Sequence, residues 1–153
     1  MKILAIIPAR MASSRFPGKP LKKINGKEMI KIIYQNVDKN KKLKDTIIAT
    51  CDNEIKLFCI KNNMKYIMTS KKHVRASDRT AEAVIKYEKF NKTKIDLVVM
   101  IQGDEPMVDQ KMIDMSIEPF KKNKKIKVVN LISKIFNKNI LNDKNFIKVK
   151  KKG

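Results

Sequence analysis

Tryptophan is absent from this 153-residue chain, and only nine residues are aromatic; glycine, proline, cysteine and histidine number four, five, two and one. Few aromatics means few platforms on which the bases of a single-stranded nucleic acid could stack. The two cysteines, Cys51 and Cys59, have no companion Cys or His at metal-ligand spacing, so neither a disulfide framework nor a zinc site is supported. Reduced thiols in a cytoplasmic protein are expected. No apolar run approaches the roughly 18 residues of a membrane span, and Met1-Lys2 followed by five apolar residues is too short for a signal peptide. No membrane partner is expected. Arginine is scarce as well: of 36 basic residues only Arg10, Arg15, Arg75 and Arg79 are arginine, and the other 32 are lysine.

Against 15 acids that basic content gives a formal charge of +21, which by itself would suggest nucleic acid as a partner. The excess is diffuse lysine, in runs such as Lys121-Lys122-Asn123-Lys124-Lys125, in a chain also rich in Ile and Asn. A genome biased toward A and T codons produces the same composition. The charge is therefore read as a solvated surface, with no nucleic-acid partner. Where lysine is the default cation, a position that keeps arginine needs the planar, multi-donor guanidinium. All four fall in two short segments.

The length fits one domain with a real core. Short β-branched or apolar runs at residues 3–7, 46–50, 66–69, 97–101 and 127–132 read as strands. Between them, residues 28–37, 54–62, 78–90 and 110–120 carry apolar side chains at three-to-four spacing and read as helices. This alternation predicts an α/β fold: a mostly parallel sheet, helices on both faces, ligands beyond the carboxyl ends of the strands.

Three loops at that end carry the chemistry. In Pro8-Ala9-Arg10-Met11-Ala12-Ser13-Ser14-Arg15-Phe16-Pro17-Gly18-Lys19-Pro20, the cations Arg10, Arg15 and Lys19 and the amides from Ser13 to Gly18 can neutralise a triphosphate. The Walker pattern is absent. In Gln102-Gly103-Asp104-Glu105-Pro106, Asp104 is a candidate Mg²⁺ ligand, Gln102 suits a base or sugar edge, and Gly103 permits close backbone approach. An acid in such a turn is also an ordinary capping residue. In the third, Ser77 is expected as a helix N-cap and Asp78 in the first turn, which leaves Arg75 and Arg79, four apart, to flank a nucleotide. His73, without a nucleophile beside it, reads as structural.

Ile7-Pro8-Ala9-Arg10, the run from Ser13 to Leu21, Gly26-Lys27-Glu28-Met29-Ile30, Ala49-Thr50-Cys51-Asp52, Met68-Thr69-Ser70, His73 with Asp78-Arg79, and Gln102-Gly103-Asp104-Glu105-Pro106 together resemble the 3-deoxy-manno-octulosonate (Kdo) cytidylyltransferases of lipopolysaccharide assembly. The acylneuraminate cytidylyltransferases match the first loop more loosely. The resemblance implies a Rossmann-like nucleotidyltransferase sheet and Mg²⁺-dependent transfer of CMP from CTP to Kdo or a close acidic sugar, with release of pyrophosphate. It implies Arg15 and Lys19 as catalytic residues on the phosphates, Pro8, Ala9, Arg10, Ser13, Arg79 and Gln102 around the nucleotide, and Asp104 on the metal. The family pattern Ser-Gly-Thr-Asp-Arg is here Arg75-Ala76-Ser77-Asp78-Arg79. The chain corresponds to roughly the first three-fifths of such a protein, whose domain runs to about 250 residues. By resemblance the remainder carries sugar-binding side chains, a second metal carboxylate and the dimer segment. A homodimer or a completing partner chain is expected; a CTP-binding module without turnover is the alternative.

Overall fold

The computed structural model describes residues 1–12, 16–144 and 147–149. The first strand, β1 (Ile3–Ala9), is buried over its entire length. A 3₁₀ turn (Lys19–Leu21) and a small hairpin, β2 (Lys23–Ile24) with β3 (Lys27–Glu28), follow its loop. Asn25 and Gly26 both have positive φ at the hairpin tip, as a tight antiparallel connection requires. The rest alternates: α1 (Met29–Asp38), β4 (Asp45–Thr50), α2 (Asn53–Lys61), β5 (Tyr66–Met68), α3 (Ala76–Asn91), β6 (Leu97–Met100), α4 (Gln110–Lys122) and a short α5 (Lys138–Asn142).

Four strands form one parallel sheet in the order β5-β4-β1-β6. Alternation along β1 divides the core. Ile3, Ala5, Ile7 and Ala9 pack with Ile30 and Ile33 of α1, Ile55 of α2 and Ile113 and Ile117 of α4. Leu4 and Ile6 face the other way, with Ile47 and Ala49 of β4, onto Ala83 and Tyr87 of α3. The expected α/β sheet with helices on both faces is therefore present, and all its strands end at one edge.

Two expectations are corrected. Residues 127–132 form no strand. Val128, Leu131 and Ile132 stay 75%, 46% and 66% exposed, and β-branched side chains hold a strand only where a ladder partner and a covering layer meet them. Ser77 does not cap α3, which starts at Ala76 with extended Arg75 in the cap position and no side-chain cap. The Ser77 hydroxyl, within the first turn, lies 3.4 Å from Asp78 Oδ1 instead. No helix among the described residues is long and apolar enough to cross a membrane.

Ile33 is fully buried between α1 and the sheet. Truncation to Ala should cost about 2–5 kcal/mol, read as a lowered urea midpoint at constant slope. Leu57→Ala on the exposed side of α2 should stay within about 0.5 kcal/mol of the parent.

Candidate functional site

Three strand-to-helix connections meet at the carboxyl edge around a cleft of about 270 Å³. Pro8, Ala9 and Arg10 enter it from β1, Lys19 from the 3₁₀ turn, Arg79 from α3, and Gln102 and Asp104 from the turn after β6. These seven residues, expected from sequence to serve the site, share one wall-to-wall space. The other two, Ser13 and Arg15, lie outside the described residues. His73, Val74, Arg75 and Ala76 also line it, together with Ala12, Pro20 and Gly103. Every arginine among the described residues thus borders the same cleft.

The turn after β6 depends on Gly103. A Cβ there would lie 2.7 Å from the Pro8 carbonyl oxygen, closer than real Cβ contacts allow, and 3.6 Å from the Ala9 side chain. A side chain would push the Gln102–Asp104 turn off the end of β1. The sequence reading of close backbone approach applies to the protein's own strand.

The first loop is tied at both ends. Asp52, just past β4, accepts from Met11 N at 2.8 Å, and Gly18 N donates to Met11 O at 2.9 Å, with Gly18 at φ +71°. Asp52 belongs to a motif noted in the sequence, but nothing there assigns its carboxylate to the loop. Lys19 then reaches across to Asp104, Nζ to Oδ2 at 2.8 Å. Here the expected phosphate cation and the expected metal carboxylate neutralise each other across the cleft.

The third wall is held from α3. Arg79 is 3% exposed, and its Nη1 donates to Thr69 Oγ1 at 2.5 Å. The acid groups that pair with other cations among the described residues do not include one on Arg79, so its charge is left for the cleft. Glu82, one turn further on, accepts from Ser70 N at 2.8 Å and His73 Nε2 at 2.5 Å. His73, which lines the cleft, is thereby tied to α3. Thr69 belongs to a motif noted in the sequence, but neither it nor Glu82 is assigned a role there, because their partners lie 9 to 12 residues away.

A larger groove, about 810 Å³, runs along β6, α4 and residues 124–131. Its lining is mostly apolar and contains no arginine. The arginines gather instead in the smaller cleft.

Residues 4–153 match the family model described as Cytidylyltransferase. The chain belongs to the cytidylyltransferase family. A 3-deoxy-manno-octulosonate cytidylyltransferase from Fusobacterium nucleatum is 42% identical over 149 residues, 97% of this chain and 58% of that protein. One from Flavobacterium johnsoniae is 36% identical over 151 residues, 97% of this chain and 59% of that one. Among solved structures, a CMP:2-keto-3-deoxy-manno-octonic acid synthetase complexed with CTP superposes with a TM-score of 0.72 at 30% identity, over 82% of this chain and 50% of that chain. A 4-diphosphocytidyl-2C-methyl-D-erythritol synthase shares the fold, with a TM-score of 0.62 at 12% identity, over 77% of this chain and 54% of that one. This cytidylyltransferase chain spans a little under three-fifths of the curated relatives it matches. The Rossmann-like nucleotidyltransferase fold is that of the family.

Gly103→Ala tests the packing of the turn. With Pro8 O in the way, the variant should melt several degrees lower and lose affinity for whatever the cleft binds, while Gly26→Ala, with open space around its Cβ position, should leave binding unchanged. Differential scanning calorimetry and a titration separate the two effects.

Proposed function

We propose that the chain carries the nucleotide site of a cytidylyltransferase that moves CMP from CTP to Kdo or a close acidic sugar, releasing pyrophosphate, in lipopolysaccharide assembly in the cytoplasm. The observation that carries this reading is the cleft itself: Arg10, Lys19, Arg75 and Arg79 around one space with Gln102 and Asp104 at its edge. The names of the relatives and the CTP bound by the 30%-identical structure support the choice of nucleotide and sugar.

In-line attack of a sugar hydroxyl on the α-phosphate needs no covalent intermediate on the protein, so catalysis is positioning and charge stabilisation. Arg10 and Lys19, with Arg15 from the same loop, take the phosphates; guanidinium and ammonium donors aimed at the phosphoryl oxygens stabilise the charge that builds on the leaving pyrophosphate. Pro8, Ala9, Ser13 and Arg79 border the nucleoside, and Gln102 offers both a donor and an acceptor to its base or ribose.

Mg²⁺ is proposed on Asp104. No group of three or more His, Cys, Asp or Glu side chains among the described residues could hold a metal alone. One exposed carboxylate fits Mg²⁺ nonetheless, because that ion is commonly held by one or two carboxylates together with substrate phosphates. Asp104 would hold the ion, which would supply charge neutralisation for the phosphates. The Lys19–Asp104 pair is exposed, so a phosphate could take Lys19 as its partner and leave the Asp104 carboxylate available.

A second reading, nucleotide binding without turnover, is favoured by the cleft's having one carboxylate, Asp104, among the described residues; a second copy or a separate chain would then complete the sugar side. Pyrophosphate release with CTP, Mg²⁺ and Kdo decides. Release should require Kdo and fall at least about 100-fold in Asp104→Ala. CTP binding without release establishes the second reading; no CTP binding overturns both.

A further inference from the structure

Glu82 lies on α3 outside the cleft lining, yet it fastens that wall of the cleft. Its Oε2 accepts from Ser70 N at 2.8 Å and from His73 Nε2 at 2.5 Å, and its Oε1 pairs with Lys86 Nζ at 2.7 Å. Lys86 in turn donates to Met68 O at 2.8 Å, at the end of β5. The carboxyl is held down to about 2, by Lys86 first, then the Ser70 amide and His73, so it is ionised at any pH suited to nucleotide binding. An ionised carboxylate only accepts, so His73 Nε2 carries the proton in that pair.

These bonds are not helix decoration. Lys86 alone, at i+4, would satisfy a surface glutamate. The contacts to Ser70 and His73 instead span 12 and 9 residues and hold the connection that runs into α3. The N-cap position itself carries no side-chain hydrogen bond, and the tie from Arg79 to Thr69 holds only the strand end of the connection. Its far half, from His73 to Ala76, lines the cleft.

We propose that Glu82 is a positioning residue of the nucleotide site: by holding Ser70 and His73 it fixes the 70–76 wall, and with it the affinity of the cleft for CTP. This rests on the reading of the cleft as a CTP site. A rigid wall spares the ligand the ordering of a loop, which appears as affinity.

Calorimetric titration of CTP with Mg²⁺ into the parent chain, Glu82→Gln and Glu88→Gln tests it. Glu88 offers the same chemistry at the other end of α3, accepting from Ile95 N and pairing with Lys94, far from the cleft. Glu82→Gln should weaken CTP about tenfold, the scale of hydrogen bonds to a charged group. Glu88→Gln should stay within about twofold. Amide exchange at residues 70–76 should accelerate in Glu82→Gln alone. Equal CTP affinity in Glu82→Gln and the parent, whatever the melting temperature, overturns the proposal, as does an equal loss in Glu88→Gln. If Glu82→Gln does not fold, Glu82→Asp, charged but one methylene shorter, takes its place with the same criteria. A parent chain that does not bind CTP defeats the CTP reading instead; amide exchange then decides the fastening, and unchanged protection of 70–76 in the variant overturns it.

Discussion

The burial of β1 on both faces is the constraint on which the rest of the molecule depends. All seven of its residues are inside, split between the α1-α2-α4 layer and the α3 layer. A strand covered on both sides must be apolar throughout, and parallel neighbours must cross over through helices. Polar chemistry can therefore begin only where the strand leaves the core, and Arg10 is the first exposed residue after it. The loops after β5 and β6 reach the same edge because their strands run parallel to β1. Convergence of the three arginine-bearing and acid-bearing loops is thus a result of sheet direction.

Within the cleft the Lys19–Asp104 pair is instructive because it is weak. Its side chains are 34% and 51% exposed, and exposed pairs contribute about 0–1 kcal/mol. Such a pair shields each group from its neighbours without locking the cleft. On the proposed reading, exchange of Lys19 onto a phosphate and of Asp104 onto a cation costs little and restores two charge pairs. Arg79 behaves differently. At 3% exposure with a hydroxyl as partner, its charge is desolvated and held in place, which suits a fixed contact better than one that changes partners.

Much of this was legible in the sequence for physical reasons. The 3-7 and 46–50 runs are strands because nothing but double-sided burial accommodates consecutive Ile, Ala and Thr there; the rarity of arginine marked Arg10, Arg75 and Arg79 because lysine supplied charge everywhere else. What the sequence concealed is long-range. The run at 127–132 has the composition of a strand, but composition does not report whether a layer covers it. Ser77 has the chemistry of a cap, and the helix nonetheless begins ahead of it. Asp52, Thr69 and Glu82 act on loops 41, 10 and 12 or 9 residues away, and only the folded chain pairs them.

Three tethers, Asp52, Gly103 and Glu82, bear on how a chain of charge +21 can be selective. Diffuse lysine attracts any anion, and at physiological salt that attraction is screened beyond about 8 Å. Discrimination must come from groups whose positions do not adjust to the ligand. Asp52 fixes the start of the first loop, the bare Cα of Gly103 seats the second against Pro8, and Glu82 fastens the third. None of the three supplies a positive charge. On the proposed reading, the surface lysines bring anions near, and the neutral and acidic tethers, by holding the cleft walls in place, select which one fits.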